Sequence, residues 1–166
     1  MDLIVAVSQN WGIGYEGKLL FSIPADLRYF RGKTRGAVVV MGRTTLESLP
    51  GGAPLAGRRN IVLSRTMAPR ADVELAADLD TVFELVRCEQ RDVYIIGGER
   101  VYRAFLPYCR RAYVTRVESC PVADRFFPNL DSAAEWALES AGARVQSGGY
   151  TLSFSVYINK NMEVAG

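Results

Sequence analysis

The chain has 166 residues, is 49% hydrophobic and 23% charged, and carries a formal net charge of +2. This balance suits one globular domain spanning residues 1–166 and offers no basic surface for nucleic acid. It has no histidine, and its three cysteines, Cys88, Cys109 and Cys120, form no Cys-x-x-Cys pair. Ser-His-Asp and Cys-His hydrolases and histidine zinc sites are therefore excluded, and no metal site or disulfide framework is expected. Acid–base chemistry near neutral pH falls to a carboxylate, Tyr, Lys, Cys or water. Isolated thiols fit a reducing compartment. The N-terminal apolar run is short and reads as a strand, not a targeting segment, and no run approaches the roughly 18 residues of a membrane span. The expected location is the cytoplasm.

Apolar runs alternate with helical patterns along the chain. Residues 3–7 form a first strand, followed by a long loop over 8–23 containing Trp11, Gly12, Gly14 and Gly17. A loop of that length in a small domain is often a lid. Pro24 starts a helix to about residue 33, where its missing N–H costs nothing. Residues 37–41 are a buried strand and 43–49 a short helix. A Gly/Pro loop covers 50–54. Strands follow at 60–63 and, weakly, 73–75, then a helix at 79–86. Residues 92–96 form a strand ending at Gly97-Gly98, and 101–106 are helical up to Pro107. Strands at 111–118, 136–141 and 150–158 complete the chain, the last two antiparallel. Tyr150, Leu152, Phe154 and Val156 share one face.

Continuous apolar strands separated by helices predict a three-layer α/β fold. Its central sheet has about eight strands, mostly parallel, with helices on both faces and antiparallel C-terminal strands. Ligands of such sheets sit at the carboxyl ends of the strands. The turns after Val7, Met41, Leu63 and Ile96, together with Thr115, should meet in one cleft.

Asp26 lies in the first turn of its helix. An acid there ordinarily complements the helix dipole and faces water. Here the i, i+4 spacing places Phe30 on the same face, with Leu27 beside it, so the carboxylate borders an apolar surface that would raise its pKa. Gly97-Gly98 lets a backbone approach a ligand closely, and also suits a tight strand-to-helix turn. Arg43-Thr44-Thr45 after Gly42, and Ser64-Arg65 after Leu63, put a guanidinium and hydroxyls at two strand ends, a combination that suits phosphate.

Taken in order, these segments resemble dihydrofolate reductase over essentially the whole chain. The series runs Ile4-Val5-Ala6, Asn10-Trp11-Gly12-Ile13-Gly14 and Ile23-Pro24-Ala25-Asp26-Leu27 with Phe30. It continues with Val40 to Thr45, Leu55, Gly57-Arg58, Asn60 to Arg65, Ile96-Gly97-Gly98 with Val101-Tyr102, Thr115 and Asp124 to Pro128. The resemblance implies NADPH-dependent hydride transfer to C6 of 7,8-dihydrofolate with protonation at N5, giving tetrahydrofolate for one-carbon metabolism and thymidylate synthesis. It implies a monomer, inhibited by antifolates. Asp26 matches the family's active-site acid, Thr115 its hydroxyl partner, and Phe21 an aromatic position beside them. Water is the expected proton carrier, because a carboxylate holding the far edge of the ring cannot also reach N5.

By the same resemblance, Ile4, Val5, Leu19, Leu27, Phe30, Leu49, Leu55 and Ile96 would line the substrate pocket, with Arg58 pairing with the glutamate tail. Ala6, Ile13, Gly14, Lys18 and Leu19 would approach the nicotinamide. Gly42 to Thr45 would hold phosphates, and Leu63, Ser64 and Arg65 would read the 2′-phosphate. Ile96, Gly97, Gly98, Glu99, Arg100, Val101 and Tyr102 would cradle the pyrophosphate, with the Gly97-Gly98 bond cis. The sequence departs from the pattern at Leu20-Phe21, where the family usually has Pro-Trp, and at Glu99, where a small residue is common. Two other readings stay open: a related reductase of a pyrimidine intermediate in riboflavin synthesis, and a catalytically silent nucleotide-binding module.

Overall fold

The computed structural model describes residues 1–162; residues 163–166 of the expected domain lie outside the described residues. In chain order the elements are β1 (Asp2–Val7), β2 (Gly12–Tyr15), β3 (Lys18–Leu19), α1 (Pro24–Thr34), β4 (Val38–Gly42), α2 (Arg43–Ser48), β5 (Arg59–Leu63) and β6 (Glu74–Ala76). There follow α3 (Leu79–Val86), β7 (Val93–Gly97), α4 (Glu99–Phe105), β8 (Arg111–Val117), β9 (Arg125–Phe126), β10 (Trp136–Ala141), β11 (Val145–Ser147) and β12 (Tyr150–Asn159). Single 3₁₀ turns occupy Pro50–Gly52 and Leu106–Tyr108.

The main sheet runs β10-β12-β8-β1-β7-β4-β5-β6, with the short β11 paired to β12. Strands β1 and β4 to β8 are mutually parallel, and β12 and β10 run antiparallel to their neighbours. This is the mixed, mostly parallel sheet that the apolar runs predicted. Alternate side chains of each strand point to opposite layers, so both layers must be filled. On one face Leu3, Val5, Val38, Val40, Ile61, Ile95 and Val114 pack with Val82 of α3 and Val101 and Phe105 of α4. On the other, Ile4, Ala37 and Tyr94 meet Tyr29 and Phe30 of α1, while Val39, Met41 and Val62 meet Leu46 of α2. In β12, Phe154 stacks on Tyr29 at 4.2 Å, whereas Ser155 and Tyr157 are buried on the opposite side.

Three expectations are corrected. Residues 8–23 are not loop throughout: β2 and β3 form a hairpin, and β9 adds to it as a second small sheet in the order β3-β2-β9. Strands of two to four residues leave no legible alternation, and the partner β9 lies far along the chain. The fourth helix starts at Glu99, not at residue 101, directly after the glycine pair. Strands β9 and β11 were not anticipated, for the same reason of length.

Candidate active site

Asp26 is half-buried near the start of α1. The helix has no side-chain N-cap of its own; instead Ser147 Oγ accepts a hydrogen bond from Ala25 N–H at 3.1 Å. Tyr29 and Phe30, further along α1, pack on the sheet face formed by Ile4, Tyr113 and Ile96. Thr115, 1% exposed, stands beside Ala6 in the β1–β8 register. Burial holds the Asp26 carboxyl above the ordinary carboxylate range, and the Thr115 hydroxyl acting on it offsets part of that rise. The same acid, after burial and Tyr113, contributes to the raised pKa of Tyr29. The group is thus poised to exchange a proton nearer neutrality than a solvated aspartate would.

Around this acid Ile4 and Val5 are buried, Phe30, Leu49, Leu55 and Ile96 are half-buried, and Leu27 remains 47% exposed. Phe21 is buried and meets Tyr150 edge-on at 5.5 Å, among Ile23, Val117 and Leu152. Arg58 is fixed by two bonds, Nε to Ala56 O at 3.0 Å and Nη1 to Thr34 Oγ1 at 3.1 Å, while the Thr34 hydroxyl donates to Phe30 O. Burial, and then the neighbouring Arg31, lower its pKa. A guanidinium repelled by a like charge gains by meeting a carboxylate.

A second region is a cleft of about 750 Å³ over the carboxyl ends of β4, β5, β6 and β7. Fifteen of the residues that the sequence pointed to line it. Ile13, Gly14, Lys18 and Leu19 come from the hairpin, Gly42 to Thr45 from the start of α2, Leu63 to Arg65 from the end of β5, and Gly98 to Val101 from the start of α4. Lys18, Arg43, Arg65, Arg100 and Arg125 face it, against the acids Asp78 and Glu99, so the cleft suits a polyanion. The Gly97-Gly98 bond is cis, as the resemblance implies. Gly97 has φ of 120°, and a Cβ there would fall 3.2 Å from the Tyr102 ring. Gly42 lets α2 approach α4, since its Cβ would lie 3.1 Å from Val101 Cγ2.

Ala6, Ile96, Gly97 and Tyr102 do not line this cleft. Tyr102 lies beneath it, buried, with its hydroxyl donating to Ile4 O at 2.7 Å. Sequence reasoning missed Tyr15, Gly17, Ser48, Ala77, Asp78, Leu79 and Arg125. Ala77 to Leu79 follow β6 and enter α3, so the carboxyl-end rule could have found them. Arg125 belongs to the Asp124 to Pro128 segment of the resemblance, which assigns it no role in the site.

The hairpin is held down from β9. Asp124 Oδ2 accepts from Glu16 N–H at 3.1 Å, and Asp124 N–H donates to Gly14 O at 2.9 Å. Trp11 anchors its base, stacked on Phe127 at 6.2 Å with the Arg116 guanidinium 4.4 Å over its ring. Leu19, opposite Gly14 in the hairpin, is 71% exposed. The hairpin thus presents Ile13, Gly14, Tyr15, Gly17, Lys18 and Leu19 to the cleft.

Residues 1–159 match the family described as dihydrofolate reductase. The chain belongs to the dihydrofolate reductase family. It is similar to the dihydrofolate reductase of Staphylococcus haemolyticus, 34% identical over 160 residues, which covers 95% of this chain and 94% of that protein. It is 40% identical over 141 residues to dihydrofolate reductase type 3 of Salmonella typhimurium, covering 84% of this chain and 85% of the other. With the dihydrofolate reductase of Neisseria gonorrhoeae the identity is 35% over 161 residues, covering 96% and 98%. Family membership assigns the sheet architecture to the dihydrofolate reductase fold.

Proposed function

We propose that this chain reduces 7,8-dihydrofolate to 5,6,7,8-tetrahydrofolate with NADPH. The observation that carries the reading is the Asp26 carboxyl, desolvated and facing Thr115, in a fold that also holds a cleft lined by guanidinium groups. A silent nucleotide-binding module has no use for such an acid.

The cleft residues fit a phosphorylated dinucleotide, because glycine backbone at Gly42 and Gly98 and the side chains of Arg43, Thr44, Thr45, Ser64 and Arg65 border one open volume. Arg43 and Thr44-Thr45 would hold phosphates, and Ser64 with Arg65 the 2′-phosphate. NADPH, when bound, supplies the hydride that C6 of the pteridine accepts. Asp26 holds the amino edge of that ring and favours the species protonated at N5, with water carrying the proton. Leu27, Phe30, Leu49 and Leu55 exclude bulk solvent, and closing the lid at Leu19 completes the exclusion. Arg58, its fork aimed by Ala56 O and Thr34, pairs with the glutamate-tail carboxylate. Phe21 packs with Tyr150 beneath the start of the Asp26 helix, beside Ile23 and Ala25.

We further propose one monomeric domain over residues 1–166, acting in the cytoplasm and open to antifolates that compete for the Asp26 pocket. The thiols of Cys88, Cys109 and Cys120 are unpaired, which suits a reducing compartment. No helix among the described residues is long and apolar enough to cross a membrane. The test is an absorbance assay of NADPH oxidation with dihydrofolate on the wild type and on Asp26→Asn. Turnover by the wild type and a strongly reduced rate for Asp26→Asn are expected; no turnover by the wild type sinks the proposal.

A further inference from the structure

Glu99 departs from the family pattern, and Arg125 lies in the Asp124 to Pro128 segment of the resemblance without an assigned role; the structure brings the two together. The Glu99 carboxylate meets Arg103 Nη2 at 3.5 Å, one turn along α4, and Arg125 Nε at 4.0 Å, from β9. Both Glu99 and Arg125 line the cleft. Arg125 pairs with Gly14 in the β2–β9 register, and a Cβ on Gly14 would lie 3.5 Å from the Arg125 Cβ. Its Nη1 also donates to Asp124 O at 3.0 Å. The Arg125 backbone is therefore tied to the lid sheet, and its guanidinium is shared between Asp124 O and the Glu99 carboxylate of α4.

The two partners differ in freedom. The Glu99 side chain is 24% exposed and that of Arg125 is 63% exposed. An open ion pair at the limit of contact contributes little, so Arg125 can leave Glu99 at small cost. A ligand bearing two phosphate charges between the lid sheet and α4 offers it a stronger partner.

We propose that Arg125 is a diphosphate-binding residue of the cofactor cleft, parked on Glu99 until the dinucleotide arrives. The proposal rests on the NADPH reading above. Arg125 addresses the diphosphate, which NADPH and NADH share. Arg65, by contrast, addresses the 2′-phosphate, which only NADPH has. Glu99 competes with the ligand for Arg125 and also repels it.

The test is calorimetric titration of the purified full-length chain with NADPH and, separately, with NADH. Arg125→Gln should weaken both about five- to tenfold, the loss of one charge-assisted hydrogen bond. Glu99→Gln, which keeps the side chain's size, should tighten both about two- to fivefold, a gain below one such bond. An Arg125→Gln effect under about twofold, or one confined to NADPH, overturns the assignment to the diphosphate. Unchanged or weaker binding by Glu99→Gln overturns the parking. A wild type that binds neither dinucleotide overturns the cofactor reading itself, and this shows before any substitution is made.

Discussion

The two halves of the site use opposite physics. Around Asp26 the protein withdraws a single charge from water among Ile4, Phe30 and Ile96, and burial shifts its proton affinity. In the cleft the charges are numerous and open: the side chains of Arg43 and Arg125 are 50% and 63% exposed. The first half is suited to chemistry, because desolvation makes one group's protonation state respond strongly to a ligand. The second is suited to capture, because solvated guanidiniums attract phosphate over a distance without fixing a proton.

The sharpest way to break the contrast is Asp26→Asn. Turnover should fall about 100-fold or more, the usual scale for a lost acid–base group. The residual rate should climb as pH falls, because protonation of N5 then depends on solvent alone; a flat residual profile would remove Asp26 from the proton's path. Next in size is Arg65→Ala, which should weaken NADPH about tenfold, the scale of a charge-assisted contact, and leave NADH nearly unchanged. Equal losses for both would misplace the 2′-phosphate.

Ionic strength separates the halves without mutation. Raising salt from about 0.01 M to 1 M shortens the screening length from about 30 Å to 3 Å, so NADPH affinity should drop severalfold. Turnover at saturating cofactor should change less; a larger fall in turnover would show that the Asp26 side also works through exposed charge.

The smallest effect is on stability. Because the folded pKa of Asp26 is raised, the folded state holds its proton more tightly than the unfolded state. The acid therefore costs stability as pH rises from the ordinary 3.8 through the raised value. At pH 7 Asp26→Asn should melt higher, by about 2–4 °C if the relief is about 1 kcal/mol. The gain should vanish below about pH 3, where both states of the wild type are protonated. Thermal melts at the two pH values give the comparison, and a gain that persists in acid would assign it to something other than ionisation.

Much of this molecule could be read from the chain. The runs Leu3 to Val7, Val38 to Met41 and Ile61 to Leu63 are apolar on every residue, which only a sheet covered on both faces can satisfy. Pro24 set the start of α1 within a residue, and the absence of histidine left a carboxylate to carry the acid–base work. What the tertiary structure decided was everything that joins distant segments. The small sheet exists because Arg125 and Phe126 meet Gly12 to Tyr15 across more than a hundred residues. Ser147 satisfies the N–H of Ala25 from 122 residues away. Asp26 is an ordinary first-turn acid in the sequence; its raised proton affinity comes from burial, which Thr115 of β8 partly offsets. Local patterns record which residues must leave water, and only the fold determines which charges they meet there.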